Sequence, residues 1–107
     1  MEIRQYQIII VNLDPTVGSE IRKTRPCIVV SPDEMNRHLN TITVCPITST
    51  SKPYPTRIKL LVQRKVSWIV VDQIRTIDRN RIVKVAGHLK IETIVELKAI
   101  IKETFVD

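Results

Sequence analysis

The sequence predicts a strand-rich α+β protein: a small β-barrel or strongly bent sheet with one short helix and one long C-terminal helix. Short β-branched runs recur between Ile8 and Val85, separated by segments rich in proline, polar or hydroxyl-bearing residues. A single amphipathic stretch follows, from about Ile91 to Phe105. With 107 residues, 43% of them hydrophobic, the chain has room for one domain spanning residues 1–107 and enough apolar side chains to give it a core.

Ile8-Ile9-Ile10-Val11-Asn12-Leu13 is short and β-branched, and Asp14-Pro15 ends it, as expected of a buried strand. Asp14 to Thr24 is polar and holds Gly18, one of 2 glycines in the chain, so it reads as a loop. Loops of that length in a compact domain usually serve function. Arg25-Pro26 restarts extended chain, because proline forces its predecessor out of the helical region, and Cys27 to Val30 forms the next strand. Ser31-Pro32-Asp33-Glu34 has the form of a helix start. Ser31 is the expected N-cap, Pro32 the first helical residue and Glu34 the far side of a capping box, with the helix running to about Leu39.

Thr41 to Cys45 is a strand, and Ile47 to Pro55 a loop by its hydroxyl and proline content. Thr56 to Val62 alternates, with Ile58 and Leu60 on one face and Arg57 and Lys59 on the other, before Gln63-Arg64-Lys65 turns the chain. Trp68 to Val71, Ile74 to Ile77 and Ile82 to Val85 supply further strands, with Asp78-Arg79-Asn80 as a turn. In the last segment Ile94, Leu97, Ile101 and Phe105 recur at helical spacing and should pack on the sheet.

The net charge of +6 favours an anionic partner: nucleic acid, a membrane surface or an acidic protein. The basic residues are dispersed, which suits a folded surface rather than a tail. Tyr6, Tyr54, Trp68 and Phe105 are too few for a module that binds single strands chiefly by base stacking. The N-terminus lacks a basic region followed by a long apolar stretch, and no apolar run approaches a membrane span, so a soluble cytoplasmic protein is expected. Cys27 and Cys45 lie in apolar stretches without ligand spacing, and read as buried free thiols; neither a metal nor a cofactor is expected. Two polar loops, Asp14 to Arg25 and Ile47 to Pro55, flank buried strands and carry positive charge. They would line one cleft if the strands bring them together.

Three stretches in these regions resemble the signatures of one family. Asp14-Pro15-Thr16-Val17-Gly18-Ser19-Glu20, with Thr24-Arg25-Pro26 ahead of a strand ending Val30-Ser31-Pro32, is similar to the first signature of the MazF/PemK toxins. Cys45-Pro46-Ile47-Thr48-Ser49 with Lys52-Pro53-Tyr54-Pro55 resembles the second, and Asp72-Gln73-Ile74-Arg75-Thr76-Ile77-Asp78 the third. The three stand in the family's order and extend the resemblance over about residues 6 to 105.

The resemblance implies an SH3-like β-barrel with a C-terminal helix, a homodimer, and an endoribonuclease toxin restrained by an acidic antitoxin. It implies cleavage of single-stranded messenger RNA by attack of the ribose 2′-OH, leaving a 2′,3′-cyclic phosphate and a 5′-OH. Carried over by position, the catalytic arginine falls on Arg25, the catalytic hydroxyl on Thr48 and the required acid on Glu20. Ser19, Lys23, Ser49, Lys52, Gln73 and Arg75 are the expected RNA contacts, the last two also serving as candidate dimer contacts. The chemistry suits these types, since a guanidinium and a hydroxyl can stabilise charge developing on a five-coordinate phosphorus without a metal. Arg25 is read mainly as an electrostatic clamp, because a guanidinium is a poor proton donor near neutrality, and Glu20 as general base or as the group orienting Arg25. His38 and His88 fall in no signature and are read as structural or surface residues.

The chain also departs from the family. The glycine that usually precedes the first strand is replaced by Tyr6-Gln7, and Lys59 to Ser67 lacks the glycine common in that hairpin. Some members carry an arginine two residues before the aspartate of the third signature; here that position is Val70, so Asp72 is read as structural. Two other functions are weighed. A gyrase-poisoning CcdB-like toxin of the same fold depends on a Trp-Gly-Ile ending, whereas this chain ends Thr104-Phe105-Val106-Asp107. A non-catalytic RNA-binding barrel would bind without cutting.

Overall fold

The computed structural model describes residues 1–12 and 24–107. Among the described residues there are seven strands: β1 (Gln7–Asn12), β2 (Thr24–Val29), β3 (Thr41–Thr48), β4 (Arg57–Val62), β5 (Lys65–Val70), β6 (Arg75–Asp78) and β7 (Ile82–His88). A short helix α1 (Asp33–His38) joins β2 to β3, and α2 (Ile91–Phe105) ends the chain. The strands follow the path β4-β5-β3-β2-β1-β7, every pairing antiparallel, with β6 held on β3. The result is a curled half-barrel with a C-terminal helix, in agreement with the fold expected from the sequence.

β3 is the hinge of this arrangement. One of its edges pairs with β2, while the other serves β6 at Thr41–Val44 and β5 at Ile47–Thr48. A strand that changes neighbours along its length bends the sheet and gives it two apolar faces. Ile28, Cys45, Ile47, Ile58, Ile69 and Val71 form one core with Leu97 and Ile94 of α2. Ile9, Val11, Cys27, Val29, Ile42, Val44 and Ile77 form the other. Double-sided burial explains why β1 and β2 read as continuous apolar runs rather than alternating ones. It also settles the cysteines: Cys27 stands opposite Pro46 and Cys45 opposite Ile28, so strand alternation sends the two thiols to opposite faces, each buried and free.

Four local expectations need correction. Ser31 does not cap α1, whose N-cap is Pro32 with no side-chain bond. The Ser31 hydroxyl instead pairs with the Asn36 side chain and accepts from the Thr43 backbone at 3.1 Å, because both Ser31 and Asn36 are buried and must satisfy each other. β3 continues through Pro46 and Ile47 to Thr48, so the following loop begins later than its composition suggests. Ile47 is a core residue, and Pro46 sits across from Cys27 without interrupting the strand. Val71 to Gln73 forms a 3-10 turn rather than the end of a strand. Finally, α2 occupies the expected residues, but its core partners end at Ile101 and Phe105 is 49% exposed.

The two missing glycines leave a visible trace. Tyr6 has φ 71, and its backbone donates to Val29 at 2.7 Å and accepts from Leu89 at 3.0 Å. Gln63 and Arg64, with φ 51 and 66, form the two-residue turn between β4 and β5, where Val62 pairs with Lys65. A left-handed backbone costs a residue with a Cβ roughly 1–2 kcal/mol relative to glycine, so these turns are held by the pairing around them.

Candidate active site

Arg25 and Thr48 come to one cleft by the register of the sheet. Pro26 keeps Arg25 extended at the start of β2, where Arg25 stands opposite Val11 and Pro26 opposite Ile10. β3 ends beside it at Thr48, opposite Trp68 of β5. Between them lies an open cleft of about 540 Å³. One wall is Thr24, Arg25 and Pro26, the second is Ile47 to Thr50, and the third is the β4–β5 hairpin with Val62, Gln63, Lys65 and Ser67. Among its described lining residues the ionisable side chains are Arg25 and Lys65, so the cleft is cationic.

The Thr48 hydroxyl closes a local turn, donating to the Thr50 carbonyl at 3.2 Å and accepting from the Thr50 backbone N–H at 3.3 Å. Both bonds are long, and they fix the hydroxyl at the mouth of the Ser49–Thr50 wall. The Arg25 side chain is exposed. Burial pushes the Cys27 thiol up to about 11, and the positive charges of Arg75 and Arg25 work against that rise, so both guanidiniums act on the same stretch of β2.

Of the expected site residues, Arg25, Thr48 and Ser49 line this cleft. Lys52 is exposed on the loop beyond Ser49 and does not line it, nor do Gln73 in the 3-10 turn and Arg75 at the start of β6. Glu20, Ser19 and Lys23 lie outside the described residues. His38 is exposed at the end of α1, and His88 places Nδ1 2.8 Å from the Leu89 carbonyl; neither lines the cleft. Among the described residues no three His, Cys, Asp or Glu side chains gather as metal ligands. No described helix is long and apolar enough to cross a membrane.

Sequence reasoning missed the hairpin wall. Once the turn is fixed at Gln63-Arg64, Lys65 shares a face with Ser67 and Ile69, which is the inward face, so a lysine at that position is the signal for a cationic cleft. It placed Arg57 on the strand face opposite Ile58 and Leu60 but gave it no partner. The Arg57 guanidinium is in fact half-buried, pairing with Asp72 at 3.2 Å, bonding the Ser51 hydroxyl at 2.9 Å and lying 5.2 Å from the Tyr54 ring. Hydrogen bonding from Arg57 holds the Asp72 carboxyl below its ordinary range; burial opposes that lowering, and the Thr56 hydroxyl adds to it.

The comparison with known proteins bears on what this cleft does. A family model described as PemK-like, MazF-like toxin of type II toxin-antitoxin system matches residues 4–105. The chain belongs to the PemK/MazF family. It is 33% identical over 95 residues to Endoribonuclease EndoA of Bacillus subtilis, covering 83% of this chain and 82% of that protein. It is 32% identical over 112 aligned positions to Endoribonuclease MazF9 of Mycobacterium tuberculosis, covering 94% and 93%. Among solved structures, MazF of Deinococcus radiodurans superposes with a TM-score of 0.77 at 26% identity, covering 96% of each chain. The MazE-MazF complex of the same organism matches with a TM-score of 0.80 at 23% identity, over 96% of this chain and 95% of that one, a likeness of fold.

Proposed function

We propose that this PemK/MazF-family chain is a sequence-specific endoribonuclease toxin that cuts single-stranded messenger RNA without a metal. The observation that carries the reading is the meeting of Arg25 and Thr48 on two walls of one cationic cleft, in a family whose relatives are named endoribonucleases. In the proposed reaction the substrate's 2′-oxygen bonds to the adjacent phosphorus as the bond from phosphorus to the 5′-oxygen breaks. The 2′-OH proton goes to a base, for which Glu20 is the candidate, and the 5′-oxygen takes up a proton as it leaves. Negative charge grows on the non-bridging oxygens, where Arg25 can donate N–H bonds and Thr48 a hydroxyl. Lys65 supplies a second positive charge on the opposite wall.

A gyrase-poisoning role would use binding alone and has no need of this arrangement; the family match and the named endoribonucleases favour cleavage. The proposed setting is a cytoplasmic homodimer inhibited by an acidic antitoxin. Leu61 and Val66, paired across the β4–β5 hairpin, and Ile91 and Val95 on α2 are exposed apolar side chains in supply for such contacts. The MazE-MazF complex of Deinococcus radiodurans and a mycobacterial endoribonuclease solved in complex with its cognate antitoxin share this fold, which is in keeping with an antitoxin partner.

The direct test is incubation of the pure protein with a long RNA in EDTA, followed by mapping of the new 5′ ends. New ends sharing a short sequence are expected. Intact RNA, or cleavage abolished by EDTA, overturns the reading.

A further inference from the structure

We propose that Arg57 is a positioning residue: its side chain latches the segment from Ser49 to Thr56 onto Asp72 and so holds the cleft wall that carries Ser49 and Thr50. Three anchors meet at one guanidinium. Nε and Nη2 donate to the two Asp72 carboxylate oxygens at 3.2 and 3.3 Å, Nη1 donates to the Ser51 hydroxyl at 2.9 Å, and the cation lies over the Tyr54 ring at 5.2 Å. Asp72 also accepts from the Thr56 hydroxyl at 2.9 Å, which ties the far end of the segment to the same carboxylate.

The backbone follows the same lines. Arg57 N–H donates to the Tyr54 carbonyl at 3.0 Å, and Val71 N–H to the Thr56 carbonyl at 3.1 Å. Among the described residues, Ser51 to Tyr54 has only its own local turn bonds apart from those to Arg57. The wall bearing Ser49 and Thr50 is therefore pinned at one end by β3 and at the other by a planar fork. A lysine could carry the charge but could not reach carboxylate, hydroxyl and ring in one geometry. The Arg57 side chain is 18% exposed and its guanidinium has three N–H groups already engaged, so it is built to hold protein rather than RNA.

The inference rests on the reading that this cleft cuts RNA. Its test is steady-state kinetics of Arg57→Ala, Asp72→Asn and the double variant on a short RNA, with amide exchange at Tyr54 and Arg57 as a readout that needs no cleavage. The latch predicts KM raised roughly tenfold in each single variant, kcat held within about threefold, a double variant no worse than either single, and faster exchange at both amides. Arg57→Lys should fall between wild type and Arg57→Ala in KM, and it serves if Arg57→Ala does not fold. A merely structural role lowers the active fraction, and so apparent kcat, at unchanged KM; a direct RNA ligand makes Asp72→Asn harmless while Arg57→Ala raises KM. Either pattern, additive single effects, or unchanged amide exchange overturns the latch. Failure of the wild-type protein to cut RNA overturns the functional reading instead, and leaves the amide exchange to decide the latch.

Discussion

Replacing Arg25 with alanine separates chemistry from folding more sharply than any other change at this cleft. The side chain is exposed, and among the described residues it makes no hydrogen bond or ion pair, so its loss leaves no buried group unpaired. Its backbone place in β2, opposite Val11, is independent of the side chain. Stability should then change by no more than about 0.5 kcal/mol, the usual range for a surface site of this kind. Catalysis stands differently, because a preorganised donor aimed at developing charge is typically worth about 2.7–4 kcal/mol, or roughly 10²–10³ in rate. Single-turnover cleavage of a defined RNA, with enzyme in excess, measures the chemical step directly, and urea denaturation of the same preparation measures stability. A slowing within that range at unchanged stability is the expected pair of results. A near-normal rate, or a rate lost only in proportion to lost fold, refutes the role given to Arg25.

Other outcomes follow from the same geometry. Lys65→Ala should reduce the salt dependence of binding to a non-cleavable RNA, shrinking the slope of log K against log[salt] by about 0.7, the share of one phosphate on a single strand; an unchanged slope would place Lys65 away from the backbone. Gln63→Asn combined with Arg64→Gly, in the left-handed turn of the β4–β5 hairpin, should stabilise the protein by on the order of 1 kcal/mol, read as a rise in the thermal midpoint; a fall would show that the two side chains repay the strain. Burial raises the Cys27 thiol to about 11 and the Cys45 thiol to about 12 from a reference of 9.0, so the unfolded chain loses these protons first as pH rises. Their stabilising contribution is complete below pH 9.0 and declines through about 11 and 12, so denaturant midpoints should drop across that window, and less so in Cys27→Ala once compared at equal starting stability.

Much of the fold was legible because its determinants are local. The β-branched runs around Ile9 and Ile28, the residue-before-proline effect at Arg25 and the helical spacing of Ile94, Leu97 and Ile101 each act within a few residues. What escaped depends on partners far along the chain. Thr48 lies at a strand end because Trp68 pairs with it, and Ser31 forsakes the helix start because Asn36 and Thr43 satisfy it in a buried corner. The left-handed backbones at Tyr6, Gln63 and Arg64 carry no residue that announces them, so only the absence of an expected glycine hinted at them. At the site, motif positions brought forward Arg25, Thr48 and Ser49, which do share a cleft. Lys65 escaped for a different reason: which face it takes is fixed by the hairpin register, and the turn at Gln63-Arg64 had to be known first, whereas the face of Arg57 was legible and only its partner Asp72, far along the chain, was not.

The central claim is that this cleft cuts RNA by using the substrate's own 2′-OH, with Arg25 and Thr48 stabilising the phosphorane. The most direct measurement uses a DNA oligonucleotide carrying the cleavage sequence with a single ribonucleotide at the scissile position, in EDTA, beside an all-deoxy copy. The ribo-substituted strand should be cut once, leaving a 2′,3′-cyclic phosphate and a 5′-OH, and the all-deoxy strand should stay whole. Cleavage of the all-deoxy strand, or a product bearing a 5′-phosphate, would contradict the mechanism.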